Sequence, residues 1–194
     1  MKPIFIFSLL TLSSWGICQQ DSMVAKLNAY FKEIDQTKHP GLSISIIENG
    51  KILYKNSFGM SNIENGIPFK EETVSDIGSV AKHITNFAIL HLINENKLTL
   101  SDSLATFFPT LKNHPAGIIT LQQLMQHTSG LREIYSKLGL QGGRMGQPIF
   151  QEDALNLVEA SESLNFNPGS SFSYCNTGYM LLAEIIQKVS KMSY

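Results

Sequence analysis

The chain has 194 residues, 43% of them hydrophobic and 16% charged, which suits a folded protein with a sizeable core and excludes a disordered or collagen-like one. Its formal net charge of −1 gives no electrostatic footing for nucleic acid or an anionic membrane surface as partner.

Lys2 is the only charge before Asp21, and Ile4 to Leu12 is mostly apolar. A basic start, a short apolar run and small residues near Ser13, Ser14 and Gly16 read as a signal peptide over residues 1–18. The run is too short to span a bilayer, so no transmembrane segment is expected. Trp15-Gly16-Ile17 is a poor lipobox before Cys18, which favours export with cleavage near Cys18 over lipid anchoring. The expected location is periplasmic or extracellular. Cleavage there leaves Cys175 as the only cysteine, so stability must come from packing rather than from an internal disulfide.

Val24, Leu27, Phe31 and Ile34 recur at helical spacing and predict an amphipathic helix over about residues 21–36, ended by His39-Pro40-Gly41. Two β-rich runs follow, Leu42–Glu48 and Lys51–Phe58, joined by Asn49-Gly50. That dipeptide favours the positive φ angles of a tight hairpin turn. Asn65-Gly66 marks a further turn. From Ser79 to about Asn94 the pattern is helical, with Val80, Ile84, Phe87, Ala88 and His91 expected along one apolar face, and Ser75 or Asp76 placed to cap it. Thr120-Leu121-Gln122-Gln123 has the spacing of a capping box and starts a short helix that ends at His127-Thr128-Ser129-Gly130. Residues 139–148 hold four glycines and one proline and read as a mobile surface loop. Asp153 to Ala160 predicts a short helix, and Tyr179, Leu182, Ile186 and Val189 predict a last one.

Ser79-Val80-Ala81-Lys82 is the first candidate for chemistry. Residues i and i+3 share a helix face, which puts Lys82 within reach of the Ser79 hydroxyl. A serine is a weak nucleophile until a base takes its proton, and a partly desolvated lysine can serve. Gly78 before it allows another backbone to approach closely. An S-x-x-K string arises by chance about once in a chain of this length, and it is also the pattern of a serine N-cap with an exposed lysine. The second candidate is Tyr174-Cys175-Asn176, which pairs a phenol able to shuttle a proton with an amide able to donate and accept. Tyr54-Lys55-Asn56 repeats the Y-x-N spacing, but it lies on the second hairpin strand, where a sheet or core tyrosine is expected. The five histidines show no metal-binding spacing, His91 is expected in the core, and neither a metal nor a cofactor is expected.

Taken in order, Ser79-x-x-Lys82, His127-Thr128-Ser129-Gly130-Leu131 and Pro168-Gly169-x-x-Phe172-x-Tyr174-x-Asn176-x-Gly178-Tyr179 resemble the class C β-lactamase-like serine hydrolases. That family includes β-lactamases, D-alanyl-D-alanine peptidases, esterases and D-amino-acid amidases, and the resemblance runs from about Asp21 to Tyr194. It implies an α/β (α+β) fold, with an antiparallel sheet, flanking helices and a mainly helical region. It further implies that Ser79 forms an acyl-enzyme on an amide, lactam or ester carbonyl, with Lys82 and Tyr174 handling its proton and Asn176 orienting a small-molecule or peptide substrate. His127 is then structural. The family's Lys/His-x-Gly, on a later strand, has no counterpart in the eighteen residues after Asn176. The expectation is therefore a partial domain over 19–194, lacking the later sheet strands and inactive alone, drawn from a longer gene product. A catalytically silent protein that binds peptidoglycan stems or β-lactams is the alternative.

Overall fold

The computed structural model describes residues 23–32, 34, 39–144 and 147–194, so the expected leader lies outside the described residues. The chain divides into two compact units, Met1–Asp76 and Ile77–Tyr194.

In the first unit, residues 23–31 form helix α1. It stops short of the expected residue 36: Lys32 is already in a turn and Ile34 in a bend. Strands β1 (Leu42–Glu48) and β2 (Lys51–Phe58) pair antiparallel with Glu48 opposite Lys51. Asn49 and Gly50 take φ of 50° and 75°, the geometry whose twist matches the flanking strands. A bulge at Ile46/Ile47 shifts the register, so Ile46 faces Tyr54 while Ile47 faces Ile52. α1 covers part of this hairpin, with the Phe31 and Phe58 rings stacked at 5.1 Å and the Tyr54 hydroxyl donating to Asn28 Oδ1 at 2.8 Å. Tyr54 is thus the buried sheet tyrosine that its position predicts. A small ribbon of β3 (Met60–Asn62) and β4 (Ile67–Pro68) completes the regular structure among the unit's described residues.

The α-helices of the second unit, among its described residues, are α2 (Ala81–Asn94), α3 (Leu104–Phe107), α4 (Leu121–Met125), α5 (Ile134–Leu140), α6 (Gln151–Glu159) and α7 (Asn176–Ser190). α7 is its axis and contacts α2, α4, α5 and α6. Leu181, Leu182 and Ile185 on α7 are fully buried with Ile89, Leu104, Phe108, Leu121 and Leu124. Each such side chain contributes about 1.5–3 kcal/mol of transfer free energy. The Thr120 capping box forms as read: Thr120 Oγ1 accepts from Gln123 N at 3.3 Å, and Gln123 Oε1 accepts from Thr120 N at 3.0 Å. α6 begins two residues before Asp153, whose carboxylate accepts from Phe150 N at 2.7 Å and closes its first turn.

Two expectations are corrected here. α2 buries Thr85, Ile89 and Leu92, whereas Val80, Ile84 and Phe87 are exposed and the His91 side chain, 61% exposed, pairs with Glu95 at 3.5 Å. Apolar residues run nearly all round this helix, so spacing alone does not choose between its two stripes; packing against α7 does. The stretch expected as loop from residue 139 instead opens on the last turn of α5, whose N-terminus is capped by Glu133 accepting from Tyr135 N at 3.3 Å.

Candidate active site

Ser79 lies on a 3₁₀ turn, Gly78–Val80, directly before α2, and not on the α-helix itself. The turn opens at Ile77, which has no side chain able to cap it, so neither Ser75 nor Asp76 stands at the N-cap. Gly78 has φ +53° and a Cβ there would meet no atom within 4 Å. Its requirement is conformational rather than the close backbone approach expected from sequence. Lys82 follows in the first turn of α2 and donates from Nζ to Ser79 Oγ at 3.2 Å.

The Tyr174 segment is set in place by the His127 segment. Backbone bonds run from Asn165 N to Gly130 O at 2.8 Å, Gly169 N to Thr128 O at 2.8 Å and Ser173 N to His127 O at 2.9 Å. Gly130 has φ +74°, and a Cβ on it would fall 2.2 Å from Phe166 O, so only glycine permits this lacing. The two motifs are neighbouring strips of backbone in the fold.

This brings all four residues singled out in the sequence together. The Tyr174 hydroxyl is 2.6 Å from Ser79 Oγ, and Lys82 Nζ donates to Asn176 Oδ1 at 2.7 Å. Lys82 Nζ also sits 4.9 Å from the Tyr174 ring centroid and 5.3 Å from that of Tyr179. Burial pushes the Tyr174 phenol up, but its interactions with Lys82 and Ser79 outweigh this and hold it below its ordinary value, Glu133 opposing. More of Tyr174 is therefore in the phenolate form at a given pH than of a free tyrosine.

His127 is beside the site. Its Nδ1 accepts from Cys175 N at 3.1 Å, and its ring packs 4.5 Å from Tyr174 and 5.0 Å from Tyr179. Burial and then the Lys82 charge lower its pKa. A neutral ring accepting at Nδ1 carries its proton on Nε2. Its contacts fix the backbone between Tyr174 and Asn176, in keeping with a structural role.

Three further contributors support the site, of which Glu133 and Thr177 carry no sequence motif. Glu133 accepts from Asn176 Nδ2 at 2.9 Å and from Asn176 N. Fully buried Thr177 donates to Arg132 O at 2.7 Å and accepts from Ile134 N at 3.0 Å. Tyr179 donates to Met125 O at 2.8 Å and accepts from Asn86 Nδ2 at 3.0 Å, tying α7 to α4 and α2. Their partners lie more than forty residues away, and no local spacing marks Glu133 or Thr177.

The Beta-lactamase family model matches residues 22–194. Over 158 residues the chain is 33% identical to Protein flp of Staphylococcus aureus (strain NCTC 8325 / PS 47), covering 80% of this chain and 31% of that protein. It is 26% identical over 175 residues to a D-aminopeptidase of Gluconobacter oxydans (strain 621H), covering 90% and 33% respectively. Among solved structures, the octameric penicillin-binding protein homologue from Pyrococcus abyssi is similar with a TM-score of 0.69 and 33% identity, over 92% of this chain and 40% of that one. The likeness bears out the expected α+β, β-lactamase/transpeptidase-like fold. The chain spans about a third of the length of the curated relatives it matches.

Proposed function

The chain belongs to the Beta-lactamase family, and on that premise we propose that it is a serine hydrolase that forms an acyl-enzyme on Ser79. The observation that carries this reading is the Ser79 hydroxyl held 2.6 Å from a phenol of lowered pKa and 3.2 Å from a lysine ammonium. Tyr174, as phenolate stabilised by Lys82, takes the Ser79 proton while Oγ bonds to the substrate carbonyl carbon. The tetrahedral intermediate collapses, the bond to the leaving nitrogen or oxygen breaks, and the proton passes to that leaving group. Water then attacks the ester, yields its proton to Tyr174, and the acid is released as Ser79 recovers its hydrogen. Asn176 places the substrate through an Nδ2 hydrogen.

Substrates in this reading are small carbonyl compounds: an amide, a lactam or an ester. The likeness to a D-aminopeptidase and to a penicillin-binding protein homologue supports an amide of a D-amino acid. With an export leader over residues 1–18, the substrate is met outside the cytoplasm.

The test uses the protein expressed from the complete reading frame that encodes this chain, given nitrocefin, a p-nitrophenyl ester and D-alanine p-nitroanilide. Turnover of at least one, abolished in Ser79→Ala, is expected. A stable one-to-one adduct without release on any of them moves the protein to the alternative, a binder of peptidoglycan stems or β-lactams. Neither turnover nor adduct overturns both.

A further inference from the structure

Glu133 lies between the motifs that mark the site, and its carboxylate engages the site's asparagine through both oxygens. Oε1 accepts from Asn176 Nδ2 at 2.9 Å, and Oε2 accepts from the Asn176 backbone N–H. Oε1 also accepts from Tyr135 N at 3.3 Å. The first of these backbone donors opens α7 and the second lies in the first turn of α5, so one carboxylate serves the N-termini of two helices. α7 has no cap of its own, because the side chain at its N-cap position is Cys175. A negative charge is favoured at such ends, and bonds to a carboxylate are stronger than neutral ones.

The backbone on both sides of Glu133 is pinned to α7 as well. The Thr177 hydroxyl donates to Arg132 O and accepts from Ile134 N. The carboxylate is therefore held where it is by neighbours that do not touch the substrate.

Its effect on Asn176 follows from charge. The amide oxygen faces the Lys82 ammonium at 2.7 Å and the amide nitrogen faces the Glu133 carboxylate at 2.9 Å. Reversing the amide would set NH₂ against the ammonium and oxygen against the carboxylate, both repulsive. Of the two Nδ2 hydrogens, one is taken by Glu133, which leaves the other for a substrate oxygen.

We propose that Glu133 is a positioning residue: it fixes the Asn176 amide with its oxygen on Lys82 and one Nδ2 hydrogen presented to substrate. The amide orientation stands on geometry alone, while its consequence for rate rests on the Ser79 acyl-enzyme reading. A plain helix cap would use only the backbone bonds, and the side-chain bond separates the two roles.

The experiment takes ¹⁵N-labelled protein from the complete reading frame and reads the Asn176 side-chain amide, assigned by its loss in Asn176→Asp. One Nδ2 proton is expected downfield and exchanging about tenfold more slowly than those of exposed asparagines, as suits a charge-assisted bond. Glu133→Gln removes the charge and leaves one acceptor oxygen where Glu133 offers two, Asn176 Nδ2 and Tyr135 N sharing Oε1 and Asn176 N taking Oε2, so it should fold and lose the charge-assisted Nδ2 bond that gives that signature. In the same variant, Ser79 acylation by a fluorescent penicillin should slow by about tenfold to a hundredfold at saturating probe, with little change in half-saturation. Glu133→Asp should recover part of both. Wild-type Nδ2 protons that exchange like those of exposed asparagines overturn the assignment. So does Glu133→Gln with unchanged acylation and only a lower melting temperature, the mark of a cap. If the wild-type protein forms no Ser79 adduct, the acyl-enzyme reading fails and the amide signature alone decides on Glu133.

Discussion

Replacing Tyr174 with phenylalanine removes one oxygen and little else. That oxygen lies 2.6 Å from Ser79 Oγ, and the side chain is 44% exposed, so its loss strands no buried partner. Stability should therefore move by less than about 0.5 kcal/mol, as for other exposed substitutions. For a domain of this size that is under about 2 °C in melting temperature. Losing the proton acceptor is a different matter, because general-base assistance supplies about a hundred- to ten-thousandfold in rate. The expected loss in acylation is thus about 3–5 kcal/mol of transition-state stabilisation, several times the stability effect. Stopped-flow acylation with a fluorescent penicillin reads the first quantity, and scanning calorimetry the second. The difference spectrum of wild type against Tyr174→Phe near 295 nm adds the phenol's own titration, expected below that of a free tyrosine because of its Lys82 and Ser79 contacts. Acylation within about threefold of wild type would refute the reasoning, since a general base cannot be worth so little.

His127 titrates lower in the fold than in the unfolded chain, whose imidazole has a pKa near 6.5, so the unfolded chain binds more protons between the two values. Stability from this group is present in full above about pH 6.5 and is lost as pH falls toward the folded value. His127→Asn keeps an acceptor and suits the φ of +59°, so melting temperature followed from pH 7.5 to 5 should fall less in the variant than in wild type. Gly130→Ala forces a Cβ toward Phe166 O at a positive φ and should cost more than about 2 kcal/mol in urea unfolding. Ile89→Ala should cost about 2–5 kcal/mol and His91→Ala almost nothing, which checks the face of α2 that the core uses.

What could be read from sequence divides by the range of the interaction. Asn49-Gly50, the Thr120 capping box and the apolar spacing of α7 are local, and each forms within a few residues of where it was read. Ser79, Lys82, Tyr174 and Asn176 are legible because they stand in two short motifs, S-x-x-K and Y-x-N, and the structure does gather them. The face of α2 was misread because Ile84 and Phe87 are as apolar as Ile89 and Leu92; the choice belongs to α7, about ninety residues on. α5 was overlooked because its glycine and its short length resemble a loop, and its capping acid also serves another helix. Glu133 and Thr177 could not be singled out at all, since a lone acid and a lone threonine gain meaning only from partners more than forty residues away.

Whether Ser79 is the nucleophile decides the account. Protein from the complete reading frame, treated with a fluorescent penicillin, digested and mapped by mass spectrometry, should carry one adduct per chain, on the Ser79 peptide. That adduct should vanish in Ser79→Ala and form far more slowly in Lys82→Ala. An adduct on any other residue, or labelling that persists in Ser79→Ala, would contradict it.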